Sequence, residues 1–143
     1  MRPSRKLLPA SDPTEEHVEQ CTVAVDHLEA VHRTLARFWR GFSSAPDERW
    51  RMLFEIAVAE VAANILEHAL PPQITFTLRA SDGSVSADFI DTGTGWSRPD
   101  EARRVVSELA ERGRGLTIAH TAVDEVAYER LGEVNHWRLV KHR

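Results

Sequence analysis

The stretch EIAVAEVAANILEHAL, Glu55 to Leu70, is apolar nearly all the way round when wound as a helix. Against that background Glu60, Asn64 and His68 fall four residues apart, one above another on a single face. A carboxylate among apolar neighbours is costly unless a partner or a ligand meets it. The polar stripe needs a reason, and the helix that carries it becomes the axis of the fold. Pro71-Pro72 stops this helix, and Ser44 to Asp47 offers a cap at its start.

Working outward, CTVAV (Cys21 to Val25) is short and β-branched, which predicts a strand. Asp26 followed by Glu29 has the spacing of a capping box. It predicts a helix with Leu28, Val31, Leu35 and Phe38 inward, ended by Gly41. On the other side of the central helix, QITFTLRA alternates, with Ile74, Phe76 and Leu78 on one face. Asp82-Gly83 predicts a hairpin turn, and SVSADFI returns as the partner strand. It runs into the glycine-rich DTGTGW. Pro99 and Asp100-Glu101 open another helix, with Val105, Val106 and Leu109 inward. ERGRG breaks it, and LTIAHTAVDEV begins a further one. Strands near Val126–Glu129 and Val134–Val140, joined at Gly132, close the chain. The order predicts an α+β fold: a two-layer α/β sandwich with helices on one face of a mixed, mostly antiparallel sheet.

Residues 1–20 are polar and proline-interrupted, a tail with room for a short edge strand; residues 21–143 read as one domain. A hydrophobic content of 42% and a charged content of 28% fit a globular chain and exclude a disordered one. The formal net charge of -4 gives no basic field for direct nucleic-acid contact. Cys21 is the only cysteine, which excludes disulfide frameworks and cysteine-built zinc sites. The seven histidines include no His-Glu-x-x-His pair. No secretory leader and no membrane-length apolar run is read in the sequence, so the expectation is a cytoplasmic protein with no membrane partner.

Three pieces occur in order: Glu60-x-x-x-Asn64, Asp91-x-Gly93-x-Gly95, and Gly113-x-Gly115-Leu116. Singly, each has a bland explanation in a solvated helix face, a turn or a helix entry. Together they fall on a helix, a strand end and a helix start. Rival motifs fail: Gly93-x-Gly95 lacks the third glycine of a dinucleotide fingerprint, and no Gly-x-x-x-x-Gly-Lys is present.

The trio resembles the N box and the two G boxes of the GHKL ATPase superfamily, which includes gyrase B, MutL and histidine kinases. Closer still is its bacterial anti-sigma-factor serine/threonine kinase branch. AVAEVAANILEHA is similar to that branch's Glu-x-x-x-Asn helix, including the downstream His68. ADFIDTGTGW is similar to its strand and adenine loop, and GRGLTIAHTAVDEVAYE to its phosphate loop, helix and following strand. The resemblance spans about residues 21 to 141.

The resemblance implies ATP and Mg²⁺ as cofactors. Asn64 would be the metal ligand, since Mg²⁺ takes oxygen ligands and an amide oxygen plus phosphates completes a sensible shell. Glu60 would be the general base toward a hydroxyl; an ion pair with a nearby arginine is the alternative. Asp91 would accept the amino group of adenine, with an Asx turn as the alternative. Gly93 and Gly95 would let the backbone bend past the ring. Gly113, Arg114, Gly115 and Leu116 would hold phosphates with free backbone N–H groups and positive charge. Trp96 to Arg112 would be the ATP lid, carrying Arg103 and Arg104, whose other reading is a solvated helix face. His68 is read as a core histidine, and Trp39, Trp50, Trp96 and Trp137 as packing residues.

By the same resemblance the chain would act as a homodimer that sequesters a sigma factor. It would phosphorylate a serine of a small anti-anti-sigma (STAS-type) partner. Two positions depart from the relatives' pattern. Arg112 stands where another glycine is usual. Gly132 is followed by Glu133, Val134 and Asn135 where Gly-Thr usually opens the last strand, its hydroxyl supporting the nucleotide pocket. That change bears on phosphotransfer more than on ATP binding. It keeps open a nucleotide-binding module that switches partners without phosphotransfer. A histidine-kinase-type catalytic domain is the third reading; against it, no phosphoacceptor helix hairpin is read ahead of the domain.

Overall fold

The computed structural model describes residues 19–68, 73–81, 83–95 and 113–143, the side chains of residues 19, 68 and 113–115 excepted. Along it run strand β1 (Glu19–Val25), helices α1 (Leu28–Arg40) and α2 (Glu48–His68), strands β2 (Ile74–Ala80) and β3 (Ser84–Asp91), helix α3 (Gly113–Ala122), and strands β4 (Glu125–Leu131) and β5 (Val134–His142). The strands form one sheet in the order β1-β2-β3-β5-β4, antiparallel at every pairing. The expected α+β sandwich is what folds, its sheet in the strictly antiparallel form. The tail before residue 19, Pro71-Pro72, Asp82, and residues 96–112 with Trp96, the predicted helix after Pro99, Arg103, Arg104 and Arg112 lie outside the described residues.

Alternation decides which face of the sheet is covered. Ile74, Phe76, Leu78 and Ala80 of β2 are buried, while Thr75 and Arg79 point away. Phe76 sits opposite Phe89 in the register, and their rings stack at 4.7 Å between centroids. Val85, Ala87 and Phe89 of β3 continue that face, as do Trp137 and Leu139 of β5. The helices supply the other half of the core: Val31, Leu35 and Phe38 from α1, and Ala119 and Ala122 from α3. From α2 come Phe54, Ala57, Val58, Val61, Ala62 and Ile65. These α2 positions repeat at three- and four-residue steps, so they make one face. Glu60 and Asn64 fall on its flank, half-buried.

The two long helices are pinned by local chemistry. Asp47 Oδ1 accepts the Trp50 N–H at 2.9 Å, capping the third residue of α2 as its position before the helix predicts. The capping box expected at Asp26 does not form. The residue before α1 is His27, with no side-chain cap bond. Asp26 Oδ1 instead meets its neighbour's ring nitrogen, His27 Nδ1, at 2.7 Å, and Glu29 falls one place too early in the helix. Trp39 and Trp50 pack where expected. Both rings contact Phe54, Trp39 Nε1 donates to Glu55 Oε2 at 2.6 Å, and Trp50 Nε1 donates to the His142 carbonyl at 3.0 Å. These bonds bind α1 and the end of β5 to α2.

Gly132, in the turn between β4 and β5, has φ of +63°, a backbone region that L side chains rarely adopt. A methyl group there would meet no atom within 4 Å, so the penalty is conformational alone. Gly132→Ala is expected to destabilise the fold by about 1 kcal/mol. Urea unfolding should show a lower midpoint at unchanged slope. Among the described residues, no helix is long and apolar enough to cross a membrane.

Candidate functional site

Asp91 ends β3 on the covered face of the sheet, where alternation would place another apolar residue. It is only 3% exposed. Its Oδ1 accepts the Gly93 N–H at 2.7 Å, the Asx turn that its position allows, and also Asn135 Nδ2 at 3.0 Å. Its Oδ2 is buried and meets no hydrogen-bond donor among the described residues. The two readings of Asp91 are therefore compatible: one oxygen shapes the turn and the other is left over. Leaving a buried acceptor unmade costs at least about 1–3 kcal/mol, a cost that a ligand bearing an N–H group would remove.

Asn135, which the sequence marks only as a departure from Gly-Thr, was not expected among the site residues. It opens the buried face of β5 and is 1% exposed, directly opposite Asp91 in the register. Its amide nitrogen donates to Asp91 Oδ1 and to the Gly93 carbonyl, both at 3.0 Å, and to the Thr94 carbonyl at 3.4 Å. Its amide oxygen accepts from the Tyr128 hydroxyl and from Arg130 Nη1, both at 2.7 Å. Arg130 has only donors, and the two backbone carbonyls are only acceptors, so the amide fits one way round. The available signal was an asparagine in phase with Trp137 and Leu139 on an inward strand face. Its partner Asp91 lies 44 residues away in the chain, so no local pattern announces the pair.

Arg130 also donates to the Gly93 carbonyl at 3.1 Å, which ties β4 to the glycine-rich loop. This gives Gly95 a role different from the expected one. A Cβ on Gly95 would lie 2.8 Å from Arg130 Cδ. The missing side chain makes room for Arg130.

On α2, Glu60 and Asn64 stand one turn apart, both half-buried. Neither makes an ion pair or hydrogen bond with another described residue, so the arginine partner considered for Glu60 is not among those residues. Residues 69–73 lie between the end of α2 and β2, whose first residues pair with the end of β3 that carries Asp91. His68 is the last residue of α2; its side chain is outside the described residues.

The phosphate-loop glycines are corrected in one respect. Gly113, Arg114 and Gly115 do not precede the helix at Leu116; they form the first turn of α3. Their N–H groups are then the unpaired donors of a helix start, and the ten-residue helix adds its dipole. Helix α3 packs along α2, and its far end is fixed by Lys141 Nζ, which donates to the Ala122 carbonyl at 3.0 Å.

The donor set fits Mg²⁺-bound ATP. An orphan carboxylate oxygen suits an amino-bearing ring, helix-start N–H groups suit phosphate, and the Asn64 amide offers a neutral oxygen. No cluster of three or more His, Cys, Asp or Glu that could hold a metal occurs among the described residues. A cation at this site would therefore rest on phosphate oxygens and Asn64.

Comparison with curated proteins yields no match. A family model does match: the histidine kinase-like ATPase domain, over residues 21–141. That span contains the Glu60–Asn64 stripe, the Asp91 loop and the α3 start, on an antiparallel sheet with its helices on one side, and the chain belongs to the histidine kinase-like ATPase domain family.

Proposed function

We propose that this chain is an ATP-binding anti-sigma regulatory factor. In this reading it works in the cytoplasm as a homodimer. It holds a sigma factor inactive and phosphorylates a serine of a small STAS-type anti-anti-sigma protein. The observation that carries the nucleotide part is Asp91 Oδ2, a buried acceptor at a strand end that meets no donor among the described residues. The partner part rests on the resemblance of AVAEVAANILEHA and GRGLTIAHTAVDEVAYE to the anti-sigma branch.

Each residue has a role in that reaction. Asp91 Oδ2 would accept the adenine amino N–H, and the first turn of α3 would hold the phosphates with backbone N–H groups. Asn64 would offer the cation its amide oxygen. Glu60 takes the proton given up by the serine hydroxyl. When bound, Mg·ATP would supply the γ-phosphoryl group, the bond to the serine oxygen forming as the β–γ bridge breaks and ADP leaves. Phosphoserine adds about -1.5 to -2 charge, which loosens the STAS-type partner.

A second reading keeps the nucleotide and drops the transfer. It is favoured by one observation: Asn135 stands at the strand opening where relatives have Gly-Thr, and its amide is committed to protein partners. One experiment serves both. Thermal melts with and without Mg·ATP, backed by calorimetry, should show about 2.7 kcal/mol of stabilisation at ~100 times the Kd. Asn64→Ala should lose the part of that gain that needs Mg²⁺. No shift and no heat at millimolar nucleotide removes the ATP reading. Labelled ATP with the co-purified partner then separates transfer from switching.

A further inference from the structure

We infer that Asn135 is the positioning residue that makes this site read the amino group of the purine. The inference rests on the nucleotide reading above and deepens it. Asp91 has two oxygens, and a carboxylate free to turn would present either one. Asn135 removes that freedom. Its Nδ2 holds Oδ1 from the neighbouring strand while the Gly93 N–H holds the same atom from the loop. Oδ2 is then the only acceptor left to face a ligand.

The same amide fixes the loop around that atom. Nδ2 bonds to the Gly93 and Thr94 carbonyls. This turns two backbone acceptors inward to the protein, so neither competes for a donor on the ligand. Oδ1 of Asn135 is occupied by Tyr128 and Arg130. With every bonding position of the amide in use, Asn135 offers the ligand nothing itself. It acts through Asp91 and the loop. The loop then presents Asp91 Oδ2 as the buried acceptor left unpaired among the described residues, and a purine that carries an amino group there satisfies it. A purine without that group leaves Oδ2 unpaired, which is how a polar site rejects an analogue.

The difference between holding the fold and aiming Asp91 can be read from two ligands. Purine riboside triphosphate has the ring, ribose and phosphates of ATP but lacks the amino group. Titration calorimetry of the full chain with Mg²⁺ should show ATP binding about 10- to 100-fold more tightly than purine riboside triphosphate. Asn135→Leu keeps the length of the side chain and removes its donor. The preference should fall to within about threefold, because ATP loses more affinity than purine riboside triphosphate does. Asn135→Thr returns a donor beside Asp91 and should recover most of the preference.

Equal weakening of both nucleotides in Asn135→Leu would make the residue merely structural and overturn the inference. A preference that survives the substitution would do the same. If the unaltered chain takes neither nucleotide, the ATP reading fails and the inference falls with it, a different result from failure of the inference alone. Should Asn135→Leu not fold, Tyr128→Phe carries the test, since it removes one donor from Asn135 Oδ1 and no apolar bulk. There the preference should fall by about threefold, and an unchanged preference overturns the inference.

Discussion

On the proposed serine-kinase function, Glu60→Ala should cut phosphotransfer to the partner by about 10²–10⁴-fold, the usual contribution of a positioned general base, while ATP remains bound. Glu60 is half-buried on the flank of α2 and has no ion-pair partner among the described residues. Removing it therefore leaves no described cation unpaired, and alanine is the better helix former. Folding stability should stay within about 1 kcal/mol of the parent. The nucleotide is held by other residues in the proposed arrangement, so calorimetric affinity should change little. Single-turnover transfer from labelled ATP is the measurement. An unfolded variant, or one that transfers at the parental rate, would return Glu60 to the role of an ion-pair partner.

The second large effect is expected at Asp91, from a change of one atom. Asp91→Asn should weaken ATP binding by about 100-fold, the scale of a lost hydrogen bond to a charged group. Two donors, Gly93 N–H and Asn135 Nδ2, converge on Oδ1. They force the new amide to present its oxygen there, so its NH₂ group takes the place of Oδ2. A donor then faces the adenine amino group, and the contact changes from attraction to conflict. Purine riboside triphosphate has no such group, so its affinity should be nearly unaltered. Competition between the two nucleotides at equilibrium reads this directly. A parallel loss for both would mean that the loop has moved.

The parts of this architecture that were legible in the sequence are those set by neighbours along the chain. The apolar run from Glu55 to Leu70, stopped by Pro71-Pro72, placed α2, and Asp47 before its first turn placed the cap. The alternation Ile74, Phe76, Leu78 gave β2 its buried face. The cap at Asp26 failed because a local rival, the His27 ring, was closer to its carboxylate than any helix N–H. The sheet order was hidden, since β5 enters between β3 and β4 and no local signal records a crossover. The stripe and the two glycine pieces marked the site. Asn135, Tyr128 and Arg130 did not, because their meaning depends on a strand pairing with residues more than 35 positions away.

The contact between Tyr128 and Trp137 has an optical consequence. Their rings lie 4.8 Å apart between centroids, and Tyr128 is the only tyrosine in the chain. Excitation absorbed by that phenol passes to the indole at such a distance, so the folded protein should emit as tryptophan alone. The tyrosine hydroxyl is bonded to Asn135, which is bonded to Asp91. The chromophore pair is thus linked to Asp91 through two hydrogen bonds. Any shift of the loop on ligand binding alters the surroundings of the donor ring. Tyrosine emission that reappears on denaturation gives an unlabelled signal for unfolding. A change in the tryptophan band on adding nucleotide gives one for occupancy, without a dye or an engineered probe.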